Sequence, residues 1–262
     1  MNVNIIGKTV GTFGQKWGDR LARVISGKGI SPTLLKMVSS ILYLSGGVLL
    51  AFGALPHGTI NWMLIVAGGV ILLASIFDLL GGTVAGMSGK VTKFGAFSDS
   101  VVDRYADLAL FAGAITYFAL RQDLVFVVIA SLALIGAVMA SYTRARAESL
   151  LPGKYNSGYM ERPERIVILV ATCLVNRLSL GMIFIALFAN LATFHRIWDA
   201  RQTAFNLDHP QEAGKGYGSP NSPAIVRCMR SLIFWDYSRQ TWQHDVMSAV
   251  LLILALLSLL LH

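Results

Sequence analysis

Four aspartates, Asp78, Asp99, Asp103 and Asp107, fall within residues 77–107, a stretch that begins where one long apolar run ends and leads directly into another. A carboxylate at a membrane boundary is costly and calls for a cation or an ion-pair partner, so each of these marks a candidate functional position. Asp99 and Asp103 are spaced i and i+4, so on a helix they share one face, about 6 Å apart along the axis. Asp78 closes the preceding apolar run, so three carboxylates can converge. Hard oxygen donors of this kind suit magnesium, manganese or calcium, and a site that also meets phosphate oxygens favours Mg2+ or Mn2+. The chemistry that fits is metal-assisted reaction of a diphosphate. Gly81, Gly82, Ala85 and Gly86 lie beside the acids and lack bulk, which lets a ligand approach the backbone. The same small residues also suit close packing of membrane helices.

The elements that must position these acids follow from composition. Of 262 residues, 55% are hydrophobic and 14% charged, whereas about a quarter of a soluble domain is charged. The expectation is an all-α polytopic membrane protein. Apolar runs at residues 34–55, 59–80, 94–120, 124–142, 165–175 and 178–198 read as six transmembrane helices, the fifth of them short. A seventh run, residues 246–261, rises about 24 Å as a helix and either crosses or lies at the interface. With six spans, Lys8, Lys16, Arg20, Arg23, Lys28, Lys90, Lys93, Arg144, Arg146, Lys154, Arg162, Arg165 and Arg196 fall on one side, and Arg121 and Arg177 on the other. The positive-inside rule makes the first side cytoplasmic, so the acids face the cytoplasm from the cell membrane. The net charge of +8 is then a membrane-surface feature, and nucleic acid is not expected as a partner.

Before the first span, Val10, Phe13, Trp17, Leu21 and Val24 recur at helical spacing opposite Lys16, Arg20 and Arg23. That pattern reads as an amphipathic helix on the anionic leaflet or on the protein's own cytoplasmic face. The expected organisation is a cytoplasmic amphipathic segment at 1–28, a six-helix membrane domain at 29–198, a polar cytoplasmic loop at 199–245 and a C-terminal apolar helix at 246–262. Arg144, Arg146 and Arg196 stand at the cytoplasmic ends of the fourth and sixth spans. Arginine binds phosphate bidentately, so they are candidates for holding a phosphorylated acceptor, although arginines there also anchor a helix in the headgroups. The five histidines are scattered over loops and tails, and no serine-histidine-acid set is visible.

The register of Asp78, Gly82, Ala85, Gly95, Asp99 and Asp103 resembles the CDP-alcohol phosphatidyltransferase family, whose pattern is D-x-x-D-G-x-x-A-R, eight residues, then G-x-x-x-D-x-x-x-D. The stretches "ISPT", "GAFSDSVVDRYAD" and "SYTRARAES…GYMERPERIVIL" carry the likeness further, over about residues 29–196. "YTRARAE" resembles the phosphatidylinositol-phosphate synthase branch. The resemblance implies six transmembrane helices, a homodimer among membrane lipids, and phospholipid biosynthesis. The implied reaction is transfer of a phosphatidyl group from a CDP-lipid, CDP-diacylglycerol, to an alcohol acceptor with release of CMP. It also implies metal ligation by Asp78, Asp99 and Asp103, with Asp99 and Asp103 catalytic and Asp103 the base. Gly82, Ala85 and Gly95 fall to the CDP-lipid.

Two positions depart from the pattern, Gly81 in place of the second acid and Gly86 in place of the arginine. The expected function is therefore an active transferase, with an impaired homologue that binds CDP-lipid without turnover as the alternative. Asp107 lies a further turn along and reads as a polar contact to a neighbouring helix. A small ion transporter accounts for buried acids but not for their register.

Overall fold

A segment crossing lipid must satisfy its backbone polar groups internally, which for apolar runs of this length means helices. In the computed structural model, which describes residues 31–55, 61–87, 92–153 and 160–209, each of the six expected runs is a helix. They are α1 (Pro32–Phe52), α2 (Trp62–Met87), α3 (Lys93–Leu120), α4 (Leu124–Leu150), α5 (Arg162–Leu174) and α6 (Leu178–Asp208). There is no strand among the described residues. The amphipathic segment 1–28, most of the polar stretch 199–245 and the apolar run 246–262 lie outside them. α1, α2, α4 and α6 are long and apolar enough to cross a membrane. On α1, Leu34, Met37, Ile41, Leu44 and Val48 stay exposed at alternating three- and four-residue spacing, an outward stripe suited to lipid rather than water. The chain is an integral membrane protein.

The helix ends follow local chemistry. Pro32 opens α1 after an extended Ser31, where the missing N–H costs nothing. Thr92 caps α3, its hydroxyl accepting from the Gly95 N–H at 3.0 Å, which satisfies one orphan donor of the first turn. Between α5 and α6 the chain turns through Asn176 at φ 58°, a conformation asparagine tolerates, and the Asn176 side chain accepts from the Asn61 N–H at 3.0 Å.

Three helices run past their apolar segments: α2 to Met87, α4 to Leu150 and α6 past Trp198 to Asp208. An apolar run measures hydrocarbon thickness, and a helix need not stop where the solvent changes. Gly81, Gly82, Ala85 and Gly86 are consequently helical, while Arg144 and Glu148 form an i,i+4 pair at 3.2 Å on the polar end of α4.

The described residues divide into two compact units, those up to residue 138 with 162–186, and those of 139–161 with residues from 187 onward, so α4 and α6 contribute to both. In the first unit α1 packs against α2 and α3, and α2 against α5. Tyr43, Leu50, Ile71 and Leu110 are fully buried there. A Cβ at Gly113 would run into the Gly47 carbonyl, and one at Gly47 into the Ala109 carbonyl, so α1 and α3 touch backbone to backbone. In the second unit the Arg196 guanidinium donates to the Ala140 carbonyl at 2.7 Å, tying α6 to α4.

Candidate functional site

Four helices of the first unit bring opposite charges together. α1 carries Lys36 just beyond its first turn, α2 carries Asp78, α3 carries Asp103 and Asp107 one turn apart, and α5 opens with Arg162 and Arg165. Lys36 Nζ lies 2.6 Å from Asp78 Oδ1 and 2.6 Å from Asp103 Oδ1. Arg162 Nη1 lies 2.6 Å from Asp78 Oδ2 and 3.2 Å from Asp103 Oδ1, while its Nε lies 3.0 Å from Asp107 Oδ1. Arg165 Nη2 donates to Asp107 Oδ2 at 2.8 Å. The Arg162 guanidinium also stacks over Tyr43, 4.9 Å from the ring centroid, a favourable use of the ring face.

Three carboxylates meet three cations, so the cluster is neutral among these six residues. That balance is what permits burial, because an unpaired charge here would cost several kcal/mol. Burial is graded: Asp107 and Arg165 are 5% and 3% exposed, whereas the Asp103 side chain is 31% exposed and Lys36 18%. The inner pair pins α5 to α3, and the outer group is reachable from outside the helices.

Residues 30–199 match the profile of CDP-alcohol phosphatidyltransferases. The chain belongs to the CDP-alcohol phosphatidyltransferase family. It is 30% identical over 184 residues to the archaetidylinositol phosphate synthase of Pyrococcus horikoshii, covering 70% of this chain and 90% of that one. To the phosphatidylinositol phosphate synthase of Mycobacterium tuberculosis H37Rv it is 28% identical over 207 residues, covering 75% and 91%. Its fold is similar to the crystal structure of the M. tuberculosis synthase with CDP-DAG bound, at TM-score 0.60 and 27% identity over 70% of this chain and 92% of that one. A second structure of that synthase, in complex with manganese and citrate, gives TM-score 0.61 and 26% identity over 70% and 88%.

Of the family's motif residues, Asp78 and Asp103 come together, while Asp99 is exposed and pairs with no described residue. The family implies a divalent cation at these acids, and the donor set of this chain does not fit one. Two of the three expected ligands are taken up by Lys36 and Arg162, and among the described residues no group of three His, Cys, Asp or Glu side chains is placed to hold a metal ion. At Gly82 and Gly86 an added Cβ would meet nothing within 4 Å among the described residues. Ala85 lies half-buried on the same helix, and Gly95 sits over the Thr92 cap. Gly81 differs: it is buried, and its Cβ would point at the first turn of α1, 3.4 Å from Leu35 Cβ and 3.6 Å from the Lys36 nitrogen.

Arg144, Arg146 and Arg196 belong to the second unit. Arg146 is exposed, and Arg144 pairs with Glu148 and, at 3.8 Å, with Glu161. Arg196 is 3% exposed and bound to Ala140, so its geometry is that of a helix tie rather than of an acceptor ligand. His195, expected in a loop or tail, is buried within α6 with Nδ1 3.3 Å from Asp199. Asp107 makes the helix contact expected of it. Lys36 belongs to none of the motif stretches, and its one signal in the sequence is an ammonium inside an apolar run. Arg162 falls within the family-like stretch "GYMERPERIVIL", where its own reading in the sequence is that of a topological charge.

Proposed function

We propose that the chain acts in phospholipid synthesis, transferring a phosphatidyl group from CDP-diacylglycerol to a phosphorylated alcohol such as inositol phosphate, with release of CMP. The observation that carries this reading is the convergence of the motif acids Asp78 and Asp103 on one half-buried charge cluster, in a chain whose relatives are inositol-phosphate lipid synthases. The acceptor oxygen forms a bond to the β-phosphorus, the bond to the CMP oxygen breaks, and the acceptor proton passes to a carboxylate. Asp103 keeps Oδ2 clear of Lys36 and Arg162, which both engage Oδ1, and solvent-facing Asp99 lies one turn away. These two are the bases proposed. Lys36 and Arg162 supply positive charge for the departing CMP, while Arg144 and Arg146 are proposed for the acceptor phosphate. Purified protein given CDP-diacylglycerol and a panel of alcohols should release CMP fastest with a phosphorylated polyol. A faster rate with a neutral alcohol would remove the acceptor assignment.

A second reading is favoured by Gly81 and Gly86, which remove an acid and an arginine from the motif: the chain binds CDP-lipid without turning it over. CDP-lipid binding with no CMP release from any acceptor selects it.

The proposed arrangement has all six helices crossing the cell membrane, as a homodimer, with the acid cluster at the cytoplasmic face. The support is the one-sided distribution of Lys and Arg. Cysteines at Met87 and Lys93, the facing ends of α2 and α3, should react with an impermeant maleimide only from the cytoplasmic side. Labelling of intact cells from outside contradicts that orientation.

A further inference from the structure

We infer that in this chain Lys36 stands in the place of a divalent cation at the Asp78–Asp103 pair, closing the acid site with a tethered ammonium so that it takes up neither Mg2+ nor Mn2+. The inference rests on the family reading for the metal it excludes.

The ammonium touches one oxygen of each acid at the same distance, 2.6 Å, bridging the two carboxylates as a shared cation does. Arg162 occupies the second oxygen of Asp78 at 2.6 Å. A metal ion at this pair would have to displace both, because an ammonium and a guanidinium offer protons and no lone pair. Small divalent cations such as Mg2+ need near-octahedral oxygen coordination, and here three of the pair's four oxygens, both of Asp78 and Oδ1 of Asp103, are already turned to nitrogen donors.

Charge gives the same answer. Relative to a site with four acids, Gly81 in place of the second carboxylate and the ammonium of Lys36 together add two positive charges, those of one divalent ion. Position links the two. The Cβ of residue 81 would point at the first turn of α1, within 3.6 Å of the Lys36 backbone, so the missing acid and the added cation belong to one helix contact. Lys36 is also held in place: Leu35 beside it is buried against Leu80 and Val84 of α2, which fixes the turn from which the lysine stem departs.

Manganese alone is the probe, titrated into the detergent-solubilised full chain and followed by the loss of the free-ion electron paramagnetic resonance signal. The parent should show no site tighter than about 1 mM, and Lys36→Gln with Gly81→Asp should gain one at least about tenfold tighter, since affinity follows ligand charge count. Lys36→Arg, which keeps the cation, should gain none. Where the double variant does not fold, Lys36→Gln alone serves, because it adds nothing at the buried Gly81 position. Sub-millimolar binding by the parent that disappears in Asp78→Asn overturns the inference. So does a folded Lys36→Gln, Gly81→Asp chain that binds no better than the parent. The titration contains no lipid, so it reads the same whether or not the chain turns over a CDP-lipid.

Discussion

Lys36→Gln, Gly81→Asp and Gly86→Arg, combined in one chain, are expected to raise magnesium-dependent CMP release from CDP-diacylglycerol by about 10²–10³-fold over the parent, the usual scale for one preorganised electrostatic group. The first side-chain carbon fits at both glycines. An added Cβ at Gly86 meets nothing within 4 Å, and one at Gly81 meets only ordinary contacts, from 3.4 Å upward. The single reversions should recover little, because Gly81→Asp alone adds an acid beside a site still occupied by Lys36 and Arg162. Residues that share partners are not additive, so the signature is a combined gain well above the product of the three. A parent that already releases CMP as fast as the triple variant would show that the glycines are tolerated. A folded triple variant that binds CDP-lipid and stays silent would support the non-catalytic reading.

The largest stability loss is expected from Asp107→Asn, about 3–5 kcal/mol, the range for removing one partner of a buried ion pair. Asp107 is the partner of Arg165, which is 3% exposed, and shares Arg162 with the outer acids. Without it the start of α5 holds two guanidinium groups against too little negative charge. α5 has 13 residues, and this charge contact anchors its first turn to α3, so the loss falls on a short helix. Thermal unfolding in detergent measures it, with Asp99→Asn as the reference: exposed and unpaired, that change should stay within about 0.5 kcal/mol of the parent. Two variants melting together would show that the buried carboxylate carries no structural weight.

Legibility in the amino-acid sequence differs from element to element. The helices can be read because an apolar run of this length has one way to satisfy its backbone in lipid. Their ends cannot, since α4 and α6 continue into polar sequence, and α2 into a glycine-rich one, where hydropathy carries no instruction. Spacing along one helix makes the pairing of Asp99 with Asp103 look natural, but it fixes neither one's partners on other helices, and only Asp103 turns inward. Lys36 reads as an ordinary residue at the edge of a span until α2 and α3 are placed against α1. Arg162 and Arg196 each meet the positive-inside rule equally well as anchors, ligands or ties, because that rule counts charges without assigning contacts. Asp107 is the reverse case: one turn deeper than the others, it has only a helix partner to choose.

The contact between Gly47 and Gly113 has a reach beyond the two residues that make it. Lys36 lies about 16 Å back along α1 from that point and Asp103 about 15 Å back along α3, at 1.5 Å per residue. The two arms are nearly equal and run the same way, so the glycines act as the pivot of a pair of callipers whose tips are an ammonium and a carboxylate. The gap at the tips is therefore gauged by two residues that carry no side chain and no charge, and a methyl group added at the pivot would open it without touching either ion.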